Sequence, residues 1–167
     1  MRDRCDETVD RIRCVRTERY KYIRNFYPER PYTQFNAYKK HQYPVLTLMQ
    51  VFYKQGKLTQ VQAKFMGPDR PAEELYDLEK DTYEINNLVD DPGHKDILAK
   101  LRSKLDTWLE EADRGTYPED PEEITYWESF MKKNFEIRMK RRGLATDISD
   151  EEFLKYWVEY LKPTQRE

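Results

Sequence analysis

The densest cluster of ionisable side chains in this 167-residue chain lies at its start, in Arg2, Asp3, Arg4, Asp6 and Glu7. An arginine guanidinium donates two parallel hydrogen bonds, a geometry that fits the oxygens of sulfate and phosphate. The cluster therefore has two interpretations: a rim of arginine and carboxylate side chains around an anionic substrate, or a solvated charged segment before a strand. Spacing alone favours the solvated segment.

Other side chains that could do chemistry are few. His41 and His94 are the only histidines, and neither has metal-ligating residue types at ligand spacing, so we expect ordinary surface histidines. Cys5 and Cys14 would lie roughly 30 Å apart in one extended segment, which predicts free thiols rather than a disulfide. The three serines fall on predicted helices or at a helix cap, with no nucleophile-elbow context. The residues of this chain alone therefore offer no nucleophile, no general base and no metal site.

Composition narrows the classes of partner. The chain is 38% hydrophobic with a mean hydropathy of -1.06, yet its 13 Tyr, 7 Phe and 3 Trp exclude wholesale disorder. A net charge of -2 gives no overall attraction to nucleic acid or to a membrane surface, so we expect neither as a partner. The basic run at residues 140–142 is typical of the C-terminal end of a helix. No signal peptide and no apolar run near the ~20 residues of a membrane span is visible, which leaves the compartment unassigned.

Alternation and periodicity predict a small sheet and one long helix. In residues 8–16 successive side chains alternate between two faces, as in a strand, and residues 20–26 are rich in strand formers. The loop between these two segments is short, which predicts an antiparallel hairpin. Residues 74–78 predict another strand, followed by a polar turn in which Asp81 can bond its own backbone. Asp91 and Pro92 begin a helix whose apolar stripe predicts that it ends near Gly115 and packs across the sheet.

The remaining segments are helical or irregular. Residues 27–43 predict an aromatic loop, Pro44 begins a helix, and residues 58–65 predict a second short one. Two further helices follow residue 120, the last beginning at a capping box formed by Ser149 and Glu152. The predicted fold is α+β with two domains: a subdomain at 1–116, with a small antiparallel sheet packed by a long helix, and a two-helix extension at 117–167.

Two stretches resemble a known family. The run from Arg2 to Asn25 is similar to the RDRMDE…D-x-x-R-x-VR…YKYIRN stretch of bacterial sulfatases, including those like N-sulfoglucosamine sulfohydrolase. Residues 73–88, EELYDLEKDTYEINNL, resemble the ELYDL-x-x-D-P-x-E-x-x-N-L signature near the C-terminal end of these enzymes. Cys5 replaces a usual Met, and Thr82 a usual Pro. The resemblance extends from Arg2 to about Gly115, and the final helices match nothing recognisable.

The resemblance implies the alkaline-phosphatase-like superfamily and hydrolysis of sulfate esters or sulfamates, including those of sulfated glycans. Such enzymes use a formylglycine made from a C/S-x-P-x-R motif, with Ca²⁺ or Mg²⁺ held by Asp and Asn side chains. Neither Cys5 nor Cys14 lies in that motif, and no Ser-x-Pro-x-Arg is present. We therefore expect the C-terminal part of a sulfatase with no cofactor in this chain. Its expected partners are an N-terminal catalytic domain, which would hold Ca²⁺ or Mg²⁺, and the sulfated substrate.

The resemblance also strengthens the substrate-rim interpretation of the opening cluster. It places Arg2, Asp3, Arg4, Asp6 and Glu7 nearest the substrate, with no catalytic residue in the chain. The remaining hairpin charges are expected to be structural: Asp10, Arg13, Lys21 and Arg24.

Two alternatives stay open. The chain could be a stand-alone, non-catalytic interaction or structural module derived from a sulfatase tail, with the aromatic loop at 27–43 as its contact surface. It could instead be a gene fragment, in which case an upstream reading frame would encode C/S-x-P-x-R. A truncated subdomain should expose an apolar sheet edge or face and tend to aggregate.

Overall fold

The computed structural model describes residues 2–113 and 120–162, with side chains from residue 5 onward, and it confirms the predicted α+β class. The elements are β1 (Arg2–Cys5), β2 (Thr8–Arg16), β3 (Tyr20–Asn25), α1 (Ala37–Gln42), α2 (Pro44–Lys54), α3 (Gln60–Met66), β4 (Glu73–Asp77), α4 (Lys95–Trp108), α5 (Pro121–Arg141) and α6 (Asp150–Tyr160). A 3₁₀ turn at Pro92–His94 precedes α4, and a π-helical segment at Leu109–Asp113 follows it. None of the described helices combines the length and the apolar character needed to cross a membrane.

The chain divides into two compact units, each built from discontinuous segments. The sheet unit comprises Met1–Cys5, Val9–Pro31 and Pro68–Asp120, and the helical unit comprises Asp6–Thr8, Tyr32–Gly67 and Pro121–Glu167. The helical unit thus includes the 32–67 segment as well as the C-terminal helices. The predicted domain boundary at 116/117 falls among residues 114–119, which lie outside the described residues, and it stays a prediction.

The sheet has four strands in the order β1-β2-β3-β4. β2 pairs antiparallel with β3, with Val15 opposite Tyr22, and β3 pairs antiparallel with β4, with Tyr22 opposite Leu75. The predicted hairpin is therefore present, and the strand expected at 74–78 begins and ends one residue earlier. The charged opening segment, expected to lead into a strand, itself forms β1.

The core of the sheet unit lies between one sheet face and α4. Tyr22 and Leu75 are fully buried there, and Leu98, Leu101 and Leu105 of α4 pack against them. Three leucines spaced three and four residues apart lie on one side of a helix, which explains why α4 buries this stripe. The long helix predicted from periodicity therefore packs across the sheet as expected.

The helical unit has its own core, formed by Ala37 of α1, Phe135 and Met139 of α5, and Phe153 and Trp157 of α6. The structure also places α1 inside the region predicted to be an irregular aromatic loop. The Asn36 side chain accepts a hydrogen bond from the Lys39 backbone and so begins this short helix.

The predicted capping box at the start of α6 is present. The Ser149 hydroxyl accepts from the Glu152 backbone amide, and the Glu152 carboxylate accepts from that of Ser149. This local sequence signal therefore fixed the helix boundary correctly.

Candidate functional site

The residues predicted to form the substrate rim lie in β1 and in the turn that follows it. Arg2, Asp3 and Arg4 belong to β1, and their side chains lie outside the described part of the structure. Asp6 and Glu7 form the turn, and Asp6 has a φ of 52°, the left-handed conformation that aspartate tolerates better than most residues. Both turn residues are half-buried.

The carboxylates of this turn are bound to the start of α1. The Ala37 backbone amide donates to Glu7 Oε1 at 2.5 Å, and Asn36 Nδ2 donates to Glu7 Oε2 at 3.2 Å. Asn36 Nδ2 also lies 3.4 Å from Asp6 Oδ2. Because a carboxylate at a helix N-terminus pairs with an unsatisfied backbone amide, Glu7 stabilises α1. A role for this turn at a substrate stays a prediction.

A buried ion pair joins β2 to the segment that precedes β4. The Arg70 guanidinium donates to both carboxylate oxygens of Asp10, one of them at 2.9 Å, and the two side chains are 1% and 0% exposed. Arg70 also donates to the backbone carbonyl of Tyr27, and the Arg11 backbone amide donates to Asp10. Removal of either charge would leave the other one buried, so we expect the stability of the fold to depend strongly on this pair.

A second buried cluster joins β2 to the π-helical segment after α4. Arg11 Nη2 and Arg13 Nη2 each donate to a different oxygen of Asp113, both at 2.9 Å. The hydrogen bond from Arg13, with that from Arg11, outweighs the effect of burial and lowers the pKa of Asp113. The Arg11 guanidinium also lies 4.3 Å from the centroid of the Phe26 ring.

The other two hairpin charges, Lys21 and Arg24, also pair with carboxylates. Lys21 contacts Glu84 at 2.6 Å, and Arg24 contacts Asp106 at 2.6 Å. All four charges expected to be structural (Asp10, Arg13, Lys21 and Arg24) therefore have partners within the sheet unit.

The 73–88 stretch is held together by its own carboxylates and amides. Asp77 accepts from the Nε and Nη2 atoms of Arg19, and the hydrogen bonds from Arg19 lower the pKa of this carboxyl. Asp81 accepts from the backbone amides of residues 85 and 86, as the sequence predicted. Asn87 accepts from the Leu75 amide at 2.9 Å and donates to the carbonyl of residue 73. Asn87 therefore pairs with the backbone of β4, while Asp77 and Asp81 hold neighbouring parts of the chain in place, and all three have a structural function.

The expectation of two surface histidines is wrong for His41. This residue of α1 is 2% exposed, because the helical unit packs around it. Burial, together with the positive charges of Arg138 and Arg142, lowers the pKa of His41 to about 4. A single histidine carries no helical pattern that would reveal its burial, so this environment has no signal in the local sequence.

His94 is partly exposed, and its Nδ1 lies 2.8 Å from the Asp91 carboxylate. Cys5 and Cys14 are exposed, and neither forms a disulfide within the described part of the chain. Among residues 2–113 and 120–162, no group of three or more His, Cys, Asp and Glu side chains could hold a metal ion.

The helical unit contains a cavity that the sequence analysis did not predict. Its volume is about 360 Å³, and it lies between the 32–36 segment, α1, α2 and the end of α3. We call it the aromatic cavity; its walls include Tyr32, Phe35, Tyr43 and Phe65, with Lys39 and Lys40 beside them. Clustered tyrosines and phenylalanines in the sequence were the available signal, but their convergence depends on how three helices fold together.

Two curated proteins from Formosa agariphila are similar to the chain, and both are named ulvan-active sulfatase. One is 37% identical over 107 residues, which is 64% of this chain and 18% of the relative. The other is 32% identical over 97 residues, which is 58% of this chain and 17% of the relative. The chain contains a region related to the C-terminal region of sulfatases.

The sulfatase-related region corresponds to less than a fifth of the length of these relatives. No protein-family model matches the chain, and no solved structure matches it. The similarity agrees with the resemblance predicted from the opening residues and from the 73–88 stretch.

Proposed function

We propose that this chain is the C-terminal part of a sulfatase that hydrolyses sulfate esters or sulfamates of sulfated glycans. The observation that carries the proposal is the 37% identity over 107 residues to an ulvan-active sulfatase. An enzyme of this kind belongs to the alkaline-phosphatase-like superfamily.

In this proposal the chain supplies structure to a site whose reacting groups lie elsewhere. The sequence contains no C/S-x-P-x-R motif from which formylglycine could form. The described residues also do not fit a Ca²⁺ or Mg²⁺ site, since no suitable cluster of carboxylates exists among them. The catalytic group and the metal ion would therefore come from an N-terminal catalytic domain.

The contribution of this chain would be a wall and rim for the substrate. Arg2, Asp3 and Arg4 lie in β1, at the edge of the sheet, next to the turn of Asp6 and Glu7. Arginines at such an edge could hold sulfate oxygens through paired hydrogen bonds. The buried pairs of the sheet unit, such as Asp10 with Arg70, would keep that edge in place.

An arylsulfatase assay tests this proposal. Hydrolysis of p-nitrophenyl sulfate, and desulfation of ulvan, would be measured with Ca²⁺ on the 167-residue chain and on the product of the whole reading frame that encodes it. We expect activity only in the longer protein. Activity in the 167-residue chain itself would refute the proposal, because it has no residue that can become formylglycine.

A second candidate is a stand-alone, non-catalytic binding module. It is favoured by the exposure of aromatic side chains within the 27–43 segment: Phe35 is 59% exposed and Tyr43 is 45% exposed. Exposed rings of this kind are typical of contact surfaces. Inactivity of the longer protein, together with a stable monomeric 167-residue chain, would favour this module over the sulfatase.

A further inference from the structure

The aromatic cavity has the size and lining of a ligand site. Its volume of about 360 Å³ is within the range of small-molecule sites, which are mostly apolar with a few polar groups. All residues that line it belong to one compact unit, so its shape follows from the packing of the 32–36 segment with α1, α2 and α3.

The lining of this cavity includes a stacked pair of aromatic rings. Tyr32 and Phe65 are stacked, with ring centroids 6.2 Å apart and an interplanar angle of 17°. Phe65 is 46% exposed, so this ring keeps much of its surface available. A flat apolar face of this kind is complementary to the C–H face of a sugar ring, because both exclude water on contact.

The charge on the cavity wall is entirely positive. Lys39 and Lys40 line the cavity, and no aspartate or glutamate does. Lys39 is exposed, and its ammonium makes no hydrogen bond or ion pair within the described part of the chain. In a chain with a net charge of -2, a ligand site without a carboxylate favours an anion.

The neighbouring carboxylates lie outside the cavity lining and are bound to other groups. Lys40 is bound to Asp150 and donates to Gln50 Oε1 at 3.2 Å, while Lys54 donates to the second oxygen of Asp150 at 2.8 Å. One carboxylate therefore serves two ammonium groups. Glu7 and Asp6 accept hydrogen bonds from the Asn36 side-chain amide, and Glu7 also accepts one from the Ala37 backbone amide.

We propose that the aromatic cavity binds one ring of an anionic saccharide. The apolar face of the sugar packs on Phe65 and Tyr32, and its sulfate or carboxylate group pairs with Lys39. The site lies within the helical unit, and none of the predicted rim residues lines it. This proposal rests on the proposed function only for the origin of the ligand. Its test measures binding rather than hydrolysis, so either proposal can fail while the other holds.

Binding would be measured by ¹⁵N NMR titration of the 167-residue chain with glucose 6-sulfate, glucuronate, glucose and phenyl sulfate. We expect glucose 6-sulfate or glucuronate to shift the amide signals of residues 32–46 and 60–66. The anionic sugar that binds should do so at least about tenfold more tightly than glucose. The sulfated and carboxylated sugars distinguish which oxyanion the site prefers, and either result supports the proposal.

Two exposed residues allow variants that keep the fold. Lys39→Gln should weaken binding of the preferred anion about three- to tenfold and reduce its dependence on salt. Phe65→Ala should weaken it at least about tenfold. Lys133→Gln and Tyr83→Ala remove an exposed charge and an exposed ring that do not line the cavity, and should leave affinity within about twofold.

Three outcomes would overturn the proposal. The first is equal affinity for glucose and its anionic derivatives. The second is binding of phenyl sulfate alone, which would make the site one for aryl anions. The third is the absence of shifts in residues 32–46 and 60–66 with every probe at millimolar concentration.

Discussion

The burial of His41 predicts how the stability of this protein depends on pH. The imidazole lies in the helical unit with 2% exposure, and its Nδ1 has no hydrogen-bond partner among the described residues. Arg142 donates to the backbone carbonyl of His41 at 2.6 Å, so a guanidinium sits beside the ring. Burial disfavours the charged ring, and protonation would also add a positive charge beside Arg138 and Arg142, so the pKa falls to about 4.

The size and direction of the effect follow from this pKa. In the unfolded chain His41 takes up a proton near its ordinary value of 6.5, whereas in the folded chain it stays neutral down to about 4. The unfolded state therefore binds more protons between these values, and the free energy of unfolding falls as pH falls from 6.5 to 4. At about 1.4 kcal/mol for each pH unit, the full loss is about 3 kcal/mol. Above pH 6.5 this contribution is complete.

Urea unfolding followed by circular dichroism at several pH values between 7 and 4.5 measures the loss. His41→Gln is the matched variant, because it keeps a neutral polar side chain that cannot take up a proton. We expect its free energy of unfolding to fall less than that of the wild type over this range. The carboxyls with lowered pKa values, such as Asp113 and Glu73, lose their stabilising effect as pH falls below their ordinary values of 3.8 and 4.5, at the lower end of this range and beyond it.

NMR titration of the imidazole gives a direct check. The chain has two histidines, so the spectrum of His94→Gln assigns the signal of His41. We expect this signal to remain that of the neutral ring at pH 5. A midpoint near 6.5, or equal pH dependence of stability in wild type and His41→Gln, would refute the reasoning.

The remaining predictions concern stability and use urea unfolding. Asp10→Asn should destabilise the protein by about 3–5 kcal/mol, because it removes the carboxylate charge from a buried pair with Arg70. Leu101→Ala should cost about 2–5 kcal/mol, since this side chain is 1% exposed in the core of the sheet unit. Ser149→Ala should cost about 1 kcal/mol through loss of the capping box of α6.

Matched controls separate these effects from general sensitivity. Glu159→Gln breaks an ion pair whose side chains are 61% and 73% exposed, and should cost less than about 1 kcal/mol. Val158→Ala truncates a side chain that is 57% exposed, and Ser149→Asp keeps a capping oxygen, so both should stay near wild type. A cost of Asp10→Asn no larger than that of Glu159→Gln would contradict the importance of the buried pair.

The opening cluster shows how far the local sequence could go towards a site. Its residue types and its likeness to sulfatases were visible in the sequence, and the similarity to ulvan-active sulfatases agrees with them. That Glu7 binds the start of α1 was not visible, since its partners Asn36 and Ala37 lie about thirty residues away. The aromatic cavity was missed for the same reason: its walls come from four separate segments.

The sequence by itself determined the strands of the hairpin, the start of α2 at Pro44, the stripe of α4 and the cap of α6. These features depend on alternation, helical periodicity and capping, which act between residues close in the chain. Only the tertiary structure decided that Asp113 pairs with Arg11 and Arg13, about a hundred residues away, and that His41 is buried. Burial and long-range ion pairs depend on which segments, distant in the chain, pack against each other and exclude water between them.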